Sequence, residues 1–251
     1  MAASIVWITG ATQGIGAALA RSVPYSEARI INISRRTHPE LETVQADLTD
    51  PASWARIIDH VQSELASFQG ERAIFIHNAS YYSVSGAAGA IDPVEQHKQV
   101  FANAAAPLVL GDAFIRACHG GFESGLVMIS SAMARHPMEG NAVYCAGKAA
   151  MEQWVRAVRA EQRRAQAGPW VIAIRPGFVA TERVLDQASD TGAAGAGYPG
   201  RAAMAAALAS GQYLTPEDSA GQIWDLLPPD PNGRNVLYIG EMVEGAAVQA
   251  T

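Results

Sequence analysis

The chain has 251 residues, 49% of them hydrophobic and 17% charged, with a formal net charge of −6. That length and apolar content suit a large buried core, and the acidic balance shows no basic face for a nucleic-acid backbone, which argues against such a partner. Cys118 and Cys145 follow no metal or redox spacing and read as small hydrophobes in a reducing compartment; with no basic-then-apolar leader and no run of 18 apolar residues, a soluble, cytoplasmic protein without a membrane partner is expected.

Residues 5–9 (IVWIT) form an apolar run of strand type. They lead into Gly10-Ala11-Thr12-Gln13-Gly14-Ile15-Gly16 and an Ala/Leu-rich helix that Pro24 stops. A strand, a glycine turn and a helix in that order permit close backbone approach and aim a helix N-terminus at an anion such as a pyrophosphate. The spacing is G-x3-G-x-G, and on its own it also suits a glycine-rich turn that binds nothing. Residues 29–34 read as a second strand, ending Ser34-Arg35-Arg36 with no carboxylate before Glu40. In a dinucleotide fold an acid at this point meets the ribose 2′-hydroxyl of NAD, whereas an arginine accommodates the 2′-phosphate of NADP. The sequence therefore points to NADP (NADPH), with Ser34 and Arg35 as phosphate partners and Arg36 stacking or solvated. If the fold is another, both arginines are ordinary loop charges.

Residues 43–46 make a third short strand that ends at Asp47-Leu48, and Asp50-Pro51 has the cap and first-turn proline of a helix start. Residues 72–76 are a fourth strand, ending His77-Asn78-Ala79-Ser80. A long helix from Pro93 to about Cys118 carries Asn103 near its middle, a small propensity loss that is either tolerated or used. Residues 124–130 are a fifth strand, delivering Ser131 at its end. The next helix, running to about Gln166, holds Tyr144 and Lys148 at i and i+4 and so on one face. An ammonium beneath the phenol favours the phenolate, so serine, tyrosine and lysine together can protonate a carbonyl oxygen or deprotonate an alcohol, with the hydride supplied by something else. Residues 169–175 are a sixth strand, followed by Pro176-Gly177. Residues 192–200 are Ala/Gly-rich and read as a mobile loop. Thr215-Pro216-Glu217-Asp218 starts a helix that Pro228-Pro229 ends, and residues 235–239 are a seventh strand.

Strands alternating with helices predict an α/β fold: a single Rossmann-type doubly wound domain over residues 1–251, with a mostly parallel seven-stranded sheet covered by helices on both faces. Such sheets bind ligands at the carboxyl ends of their strands, where the glycine turn, Ser34-Arg35, Asp47, Asn78, Ser131 and Pro176-Gly177 all fall. No metal site is expected, since His136 has no second ligand spaced with it. Met133, Met138, Phe178 and Tyr82 suggest an apolar or aromatic substrate pocket, with residues 132–143 and about 182–213 as further walls, although ordinary loop packing would use the same residues. The helix of residues 141–166 is apolar on more than one side through Met151, Trp154, Val155 and Val158. Arg156, Arg159, Arg163 and Arg164 read as its solvated face.

Taken in order, Thr9-Gly10-x3-Gly14-Ile15-Gly16, Asp47, Asn78-Ala79, Asn103, Ser131, Tyr144-x3-Lys148 and Pro176-Gly177 with Thr181 resemble the short-chain dehydrogenase/reductase family over essentially the whole chain. Ser34-Arg35-Arg36, Leu214-Thr215-Pro216-Glu217 and Asn232-Gly233 are similar to its sepiapterin/benzil-reductase-like branch. The resemblance implies that Tyr144 is the general acid/base, that Lys148 lowers its pKa and binds the nicotinamide ribose, that Ser131 orients the substrate carbonyl, and that Asn103 holds a relay water. It assigns Gly10, Thr12, Gln13, Gly14, Ile15 and Gly16 to the cofactor turn, Asp47 and Leu48 to the adenine, Asn78 and Ala79 to the ribose region, and Val179 and Thr181, beyond Pro176-Gly177, to the nicotinamide amide. The implied activity is NADPH-dependent reduction of a ketone, aldehyde or dicarbonyl in a homodimer or homotetramer. A ketoacyl-carrier reductase, a sugar or secondary-alcohol dehydrogenase, or a non-catalytic NADP-binding sensor are the alternatives. Two positions depart from the family pattern: Ser80 stands where a glycine is usual, and Gln13 where many NADP-dependent members carry a basic residue.

Overall fold

A computed structural model describes residues 3–82, 85–189 and 200–239. The elements run β1 (Ser4–Thr9), α1 (Gly14–Arg21), β2 (Ala28–Ser34), β3 (Glu42–Gln45), α2 (Trp54–Ala66), β4 (Arg72–His77), α3 (Pro93–Val100), α4 (Ala106–Ala117), β5 (Glu123–Ile129), α5 (Ala142–Ala165), β6 (Trp170–Arg175), α6 (Glu182–Ala188), α7 (Arg201–Ala209), α8 (Pro216–Asp225) and β7 (Val236–Tyr238). The mobile-loop expectation for residues 192–199 lies outside the described residues.

The strands pair in the order β3-β2-β1-β4-β5-β6-β7, every pair parallel. Their apolar runs follow from burial on both faces. Trp7 of β1 packs edge-on against Phe114 of α4 in the core shared with α2 and α5. Val6 and Ile8 point the other way, into the core shared with α1 and α8. The chain order reverses between β1 and β4, and the strand ends on either side of that switch point frame a crevice.

One expected helix is built differently. Residues 93–117 are continuous, but Phe101–Ala105 form a π-turn centred on Asn103. The π-turn widens the helix by one residue and re-aims its backbone, a device found mostly at functional sites. This Pro93–Ala117 segment is long enough, and one 18-residue window of it apolar enough, to cross a membrane. Ala102, Ala106, Leu110 and Phe114 nevertheless bury against the sheet, as in a core helix.

A second difference concerns Arg159, which is not solvated. It is 5% exposed, and its guanidinium donates to the carbonyls of Val171, Asp230 and Pro231 at 3.2, 3.0 and 3.0 Å. It lies one turn beyond Val155 on the helix face turned toward the sheet, so its charge is satisfied by backbone oxygens instead of water. Arg156, Arg163 and Arg164 are exposed as expected.

Candidate active site

Thr9, at the end of β1, organises the glycine turn. Its Oγ1 accepts hydrogen bonds from the backbone N–H groups of Asn78 and Ala79, both at 2.9 Å. The Asn78 amide donates back to the Thr9 carbonyl at 3.0 Å, and the Asn32 side chain accepts from Ala11 N at 3.1 Å. Gly10 and Gly14 adopt φ of +75° and +55°, the left-handed region that favours glycine. A Cβ on Gly16 would sit 2.2 Å from the Gly10 carbonyl oxygen. Gln13 at the N-cap of α1 makes no side-chain cap, so the first amides of that helix remain open toward the crevice.

One cleft follows the strand ends. Its walls include Gly10, Thr12, Gln13, Gly14, Ile15, Ser34, Arg35, Arg36, Asp47, Leu48, Asn78, Ala79, Tyr144, Lys148, Pro176 and Thr181. Gly16, Gly177, Val179, Asn103 and Ser131 are not among these walls. Gly177 turns the chain at φ +81°, where a Cβ would meet the Ile239 carbonyl at 2.7 Å, and Val179 is buried in a bridge to Leu214.

At the β2 end the three residues take separate partners. The Ser34 hydroxyl donates to the Arg36 carbonyl, and the Arg36 guanidinium reaches back to Gln13 Oε1. Arg36 thus brings a cation to the turn position where Gln13 lacks one. Arg35 is held through its carbonyl by Gln45 Nε2 at 2.8 Å, and its side chain lines the cleft. Asp47 closes a turn onto Thr49, whose N–H and hydroxyl donate to its Oδ1 at 2.9 and 2.8 Å.

The other end of the cleft holds the proton chemistry. Tyr144 lies in the first turn of α5 and Lys148 one turn on. The Lys148 ammonium is 2% exposed, donates to the Ile129 carbonyl at 2.8 Å and sits 5.6 Å from the Tyr144 ring centroid. Ser131 caps the short turn Ala132–Ala134, its hydroxyl accepting from Met133 N at 3.2 Å. Burial pushes the Tyr144 phenol up, but Lys148, Arg183 and Ser131 together outweigh it and hold the phenol below its ordinary value. Burial likewise holds Lys148 down.

Asn103 supports this site from behind. Its amide clamps the Tyr81 backbone, accepting from N at 2.9 Å and donating to O at 2.6 Å. Both amide groups are thereby spent, and it is the Asn103 backbone carbonyl that faces α5. A Cβ on Gly147 would lie 2.9 Å from that oxygen, so Gly147 is what lets the π-turn and α5 approach.

Three residues at the site were given no individual role by the sequence, Arg183 only as part of the 182–213 wall. Arg183, at the start of α6, donates to Ser80 Oγ at 2.9 Å, lies 5.6 Å over the Tyr82 ring and helps hold the Tyr144 phenol down. Ser80 is the departure from the usual glycine, the one local signal that could have drawn attention here. His77 is wholly buried and held neutral, its pKa pushed down to about 3 by burial first and by Lys148 second. Elsewhere, Glu42, His60 and Glu64 have the spacing of metal ligands, but the Arg29 guanidinium already bridges the two carboxylates at 2.7 and 2.6 Å.

A parallel sheet with a glycine turn at its switch point, and a Ser–Tyr–Lys constellation at the same edge, defines an oxidoreductase acting on CH–OH and C=O groups. The chain belongs to the short-chain dehydrogenase family, whose model matches residues 4–191. It is similar to a benzil reductase, (S)-benzoin forming, of Bacillus subtilis (strain 168), with 27% identity over 183 residues, covering 70% of this chain and 74% of the relative. A benzil reductase of the same description from Bacillus cereus is 25% identical over 256 residues, covering 94% and 99%. Among solved structures, a short-chain dehydrogenase from Burkholderia cenocepacia in complex with NADP shares the fold, with a TM-score of 0.70, 21% identity and coverage of 95% and 96%. The protein is a carbonyl reductase of a family that uses NAD(P).

Proposed function

We propose that this chain, as a single domain, reduces a ketone, aldehyde or dicarbonyl with NADPH, using Tyr144 as the general acid. The observation that carries the reading is the Tyr144 phenol, buried beside the Lys148 ammonium and held below its ordinary pKa by Lys148, Arg183 and Ser131. The glycine cradle fits a dinucleotide: Gly10 and Gly14 have left-handed φ, and Gly16 has no room for a Cβ. Bound there, NADPH supplies the hydride.

The chain's own residues do the rest. Arg35 and Arg36 present guanidinium groups to a 2′-phosphate, with Arg36 braced on Gln13. The NADP in the structure of the Burkholderia cenocepacia relative agrees with that charge. Ser131 orients the substrate carbonyl, Tyr144 delivers the proton to its oxygen, and Lys148 stabilises the phenolate left behind. Tyr82, Met138 and Phe178 pack with Val184 and Met204 into a small apolar cluster flanking the site, which suits an apolar or aromatic substrate body. The benzil reductase relatives act on a substrate of that kind.

The test is oxidation of NADPH with benzil and with simple aldehydes, compared with NADH and with Tyr144→Phe. Wild type should prefer NADPH. The Tyr144→Phe variant should lose roughly 10²–10⁴-fold in turnover while still binding NADPH. Preference for NADH would overturn the reading of Arg35 and Arg36, and a variant that keeps more than a few per cent of activity would overturn that of Tyr144.

A further inference from the structure

Arg183 brings a full positive charge to the reacting end of the cleft. The guanidinium is held at two points: Nη1 donates to Ser80 Oγ at 2.9 Å, and its plane lies 5.6 Å over the Tyr82 ring. Tyr82 is fixed in turn, its hydroxyl donating to Asn141 Oδ1 and its ring packing edge-on against Tyr144 at 5.7 Å. Among the described residues no carboxylate pairs with Arg183. It lines the same cleft as Tyr144, whose hydroxyl would meet a carbonyl oxygen, and its charge helps hold that phenol below its ordinary value. A guanidinium carries five N–H donors in a rigid fork matched to a carboxylate, and Ser80 engages only one of its nitrogens.

We infer that Arg183, positioned by Ser80, is a specificity residue that binds a carboxylate next to the reacting carbonyl, so that the site favours aromatic 2-oxo carboxylates. The inference rests on the reading of the cleft as a carbonyl reductase site. A substrate carbonyl oxygen that meets the Tyr144 hydroxyl places the carboxylate on the adjacent carbon toward the Arg183 guanidinium on the same cleft wall, where an Arg–carboxylate fork forms. The apolar cluster of Tyr82, Met138 and Phe178 receives the aromatic ring. The side chain at position 80 then has a purpose: a glycine there would leave the guanidinium without this anchor. Arg183 is unlike Arg35 and Arg36 in lying beside Tyr144, at the other end of the cleft.

Benzoylformate, benzil and benzaldehyde separate the possibilities, since they place a carboxylate, a second benzoyl group or a hydrogen on the same benzoyl carbonyl. Wild type should show its highest kcat/KM with benzoylformate. In Arg183→Met the ratio of kcat/KM for benzoylformate over benzaldehyde should fall about 100-fold, mostly through KM. Arg183→Lys should restore part of the loss, and Ser80→Gly should lower the same ratio less. An unchanged ratio, or a uniform loss that tracks weakened NADPH binding, would overturn the inference, the latter by assigning Arg183 to the cofactor. Calorimetric titration of benzoylformate into the NADP-loaded proteins supplies a readout free of turnover. Binding to wild type that Arg183→Met abolishes, without reduction of any carbonyl, would sink the reductase reading and leave the carboxylate site standing. Absence of binding to wild type would overturn the inference alone.

Discussion

The phenol of Tyr144 is pulled in two directions. Burial favours its neutral form, and Lys148, Arg183 and Ser131 favour the phenolate by a larger total. In reduction the phenol must hold its proton, so kcat/KM for reduction should fall as pH rises through a value below the ordinary tyrosine pKa, and oxidation of the alcohol should rise through the same point. Lys148→Met removes the leading opponent of burial, and the alkaline limb should then move to higher pH whatever happens to the rate. A limb that stays in place would show that Lys148 does not tune the phenol. Serine, tyrosine and lysine were legible in the sequence because their relation is local: a strand end and an i, i+4 step on one helix. Arg183 was not, because it meets Ser80 across 103 residues of chain, and only the packing of α6 against the loop after β4 joins them. The contact made by Arg36 was hidden for a related reason. Its partner Gln13 lies in the first turn, and no spacing rule relates the two.

At the scale of elements, α5 and the end of β5 must stay in register for Ser131 to meet Tyr144, and a buried ion pair fastens them. Glu152 on α5 receives Arg175 of β6 through two bonds of 2.6 Å, with Ser130 donating to the same carboxylate at 2.7 Å. Tyr238 of β7 accepts a further bond from Arg175. Both members of the pair are almost fully buried. Glu152→Ala leaves the Arg175 charge uncompensated and should cost about 3–5 kcal/mol in urea denaturation. The double variant Glu152→Leu/Arg175→Met should recover most of that loss, because a matched apolar pair removes the orphaned charge. A double variant as unstable as the single would show that the charge was not the cause. The pH sign follows from burial, which raises the Glu152 pKa, being outweighed by Arg175, Ser130 and Arg156. The stabilisation is present above the ordinary glutamate range and is lost as pH falls through the depressed folded value. Strand positions were legible to within a residue or two at most ends, since strands buried on both faces leave unbroken apolar runs. The charged residues of α5 were not, because charge pattern alone cannot tell Arg159, clamped by three carbonyls, from its solvated neighbours. The π-turn at Asn103 was hidden for the same kind of reason: its neighbour is Gly147 of α5, more than forty residues on in the chain.

For the whole molecule, the sheet is covered on both faces, and the surface left in question is the outer side of α4 and α5. These two helices approach closely where Trp154 packs over Gly111, whose Cβ would lie 2.9 Å from the indole Cη2. The same two helices carry the partly buried Leu108, Ile115 and Val158, and α4 also carries the exposed Val109, at 42%. A helix pair with apolar side chains on its solvent side as well as its core side is short of a partner. A twofold arrangement would lay the same surface of a second copy against it, and obligate interfaces of this kind bury upwards of about 2,000 Å². We therefore expect light scattering after gel filtration to give two or four times the mass of one chain. Val109→Glu puts a charge on that surface and should shift the population toward the single chain. NADPH binding should persist, since Val109 is absent from the walls of the strand-end cleft and a surface substitution leaves the sheet intact. A wild type that elutes as one chain at all concentrations would refute the assembly. A Val109→Glu variant that keeps the assembly would move the interface elsewhere.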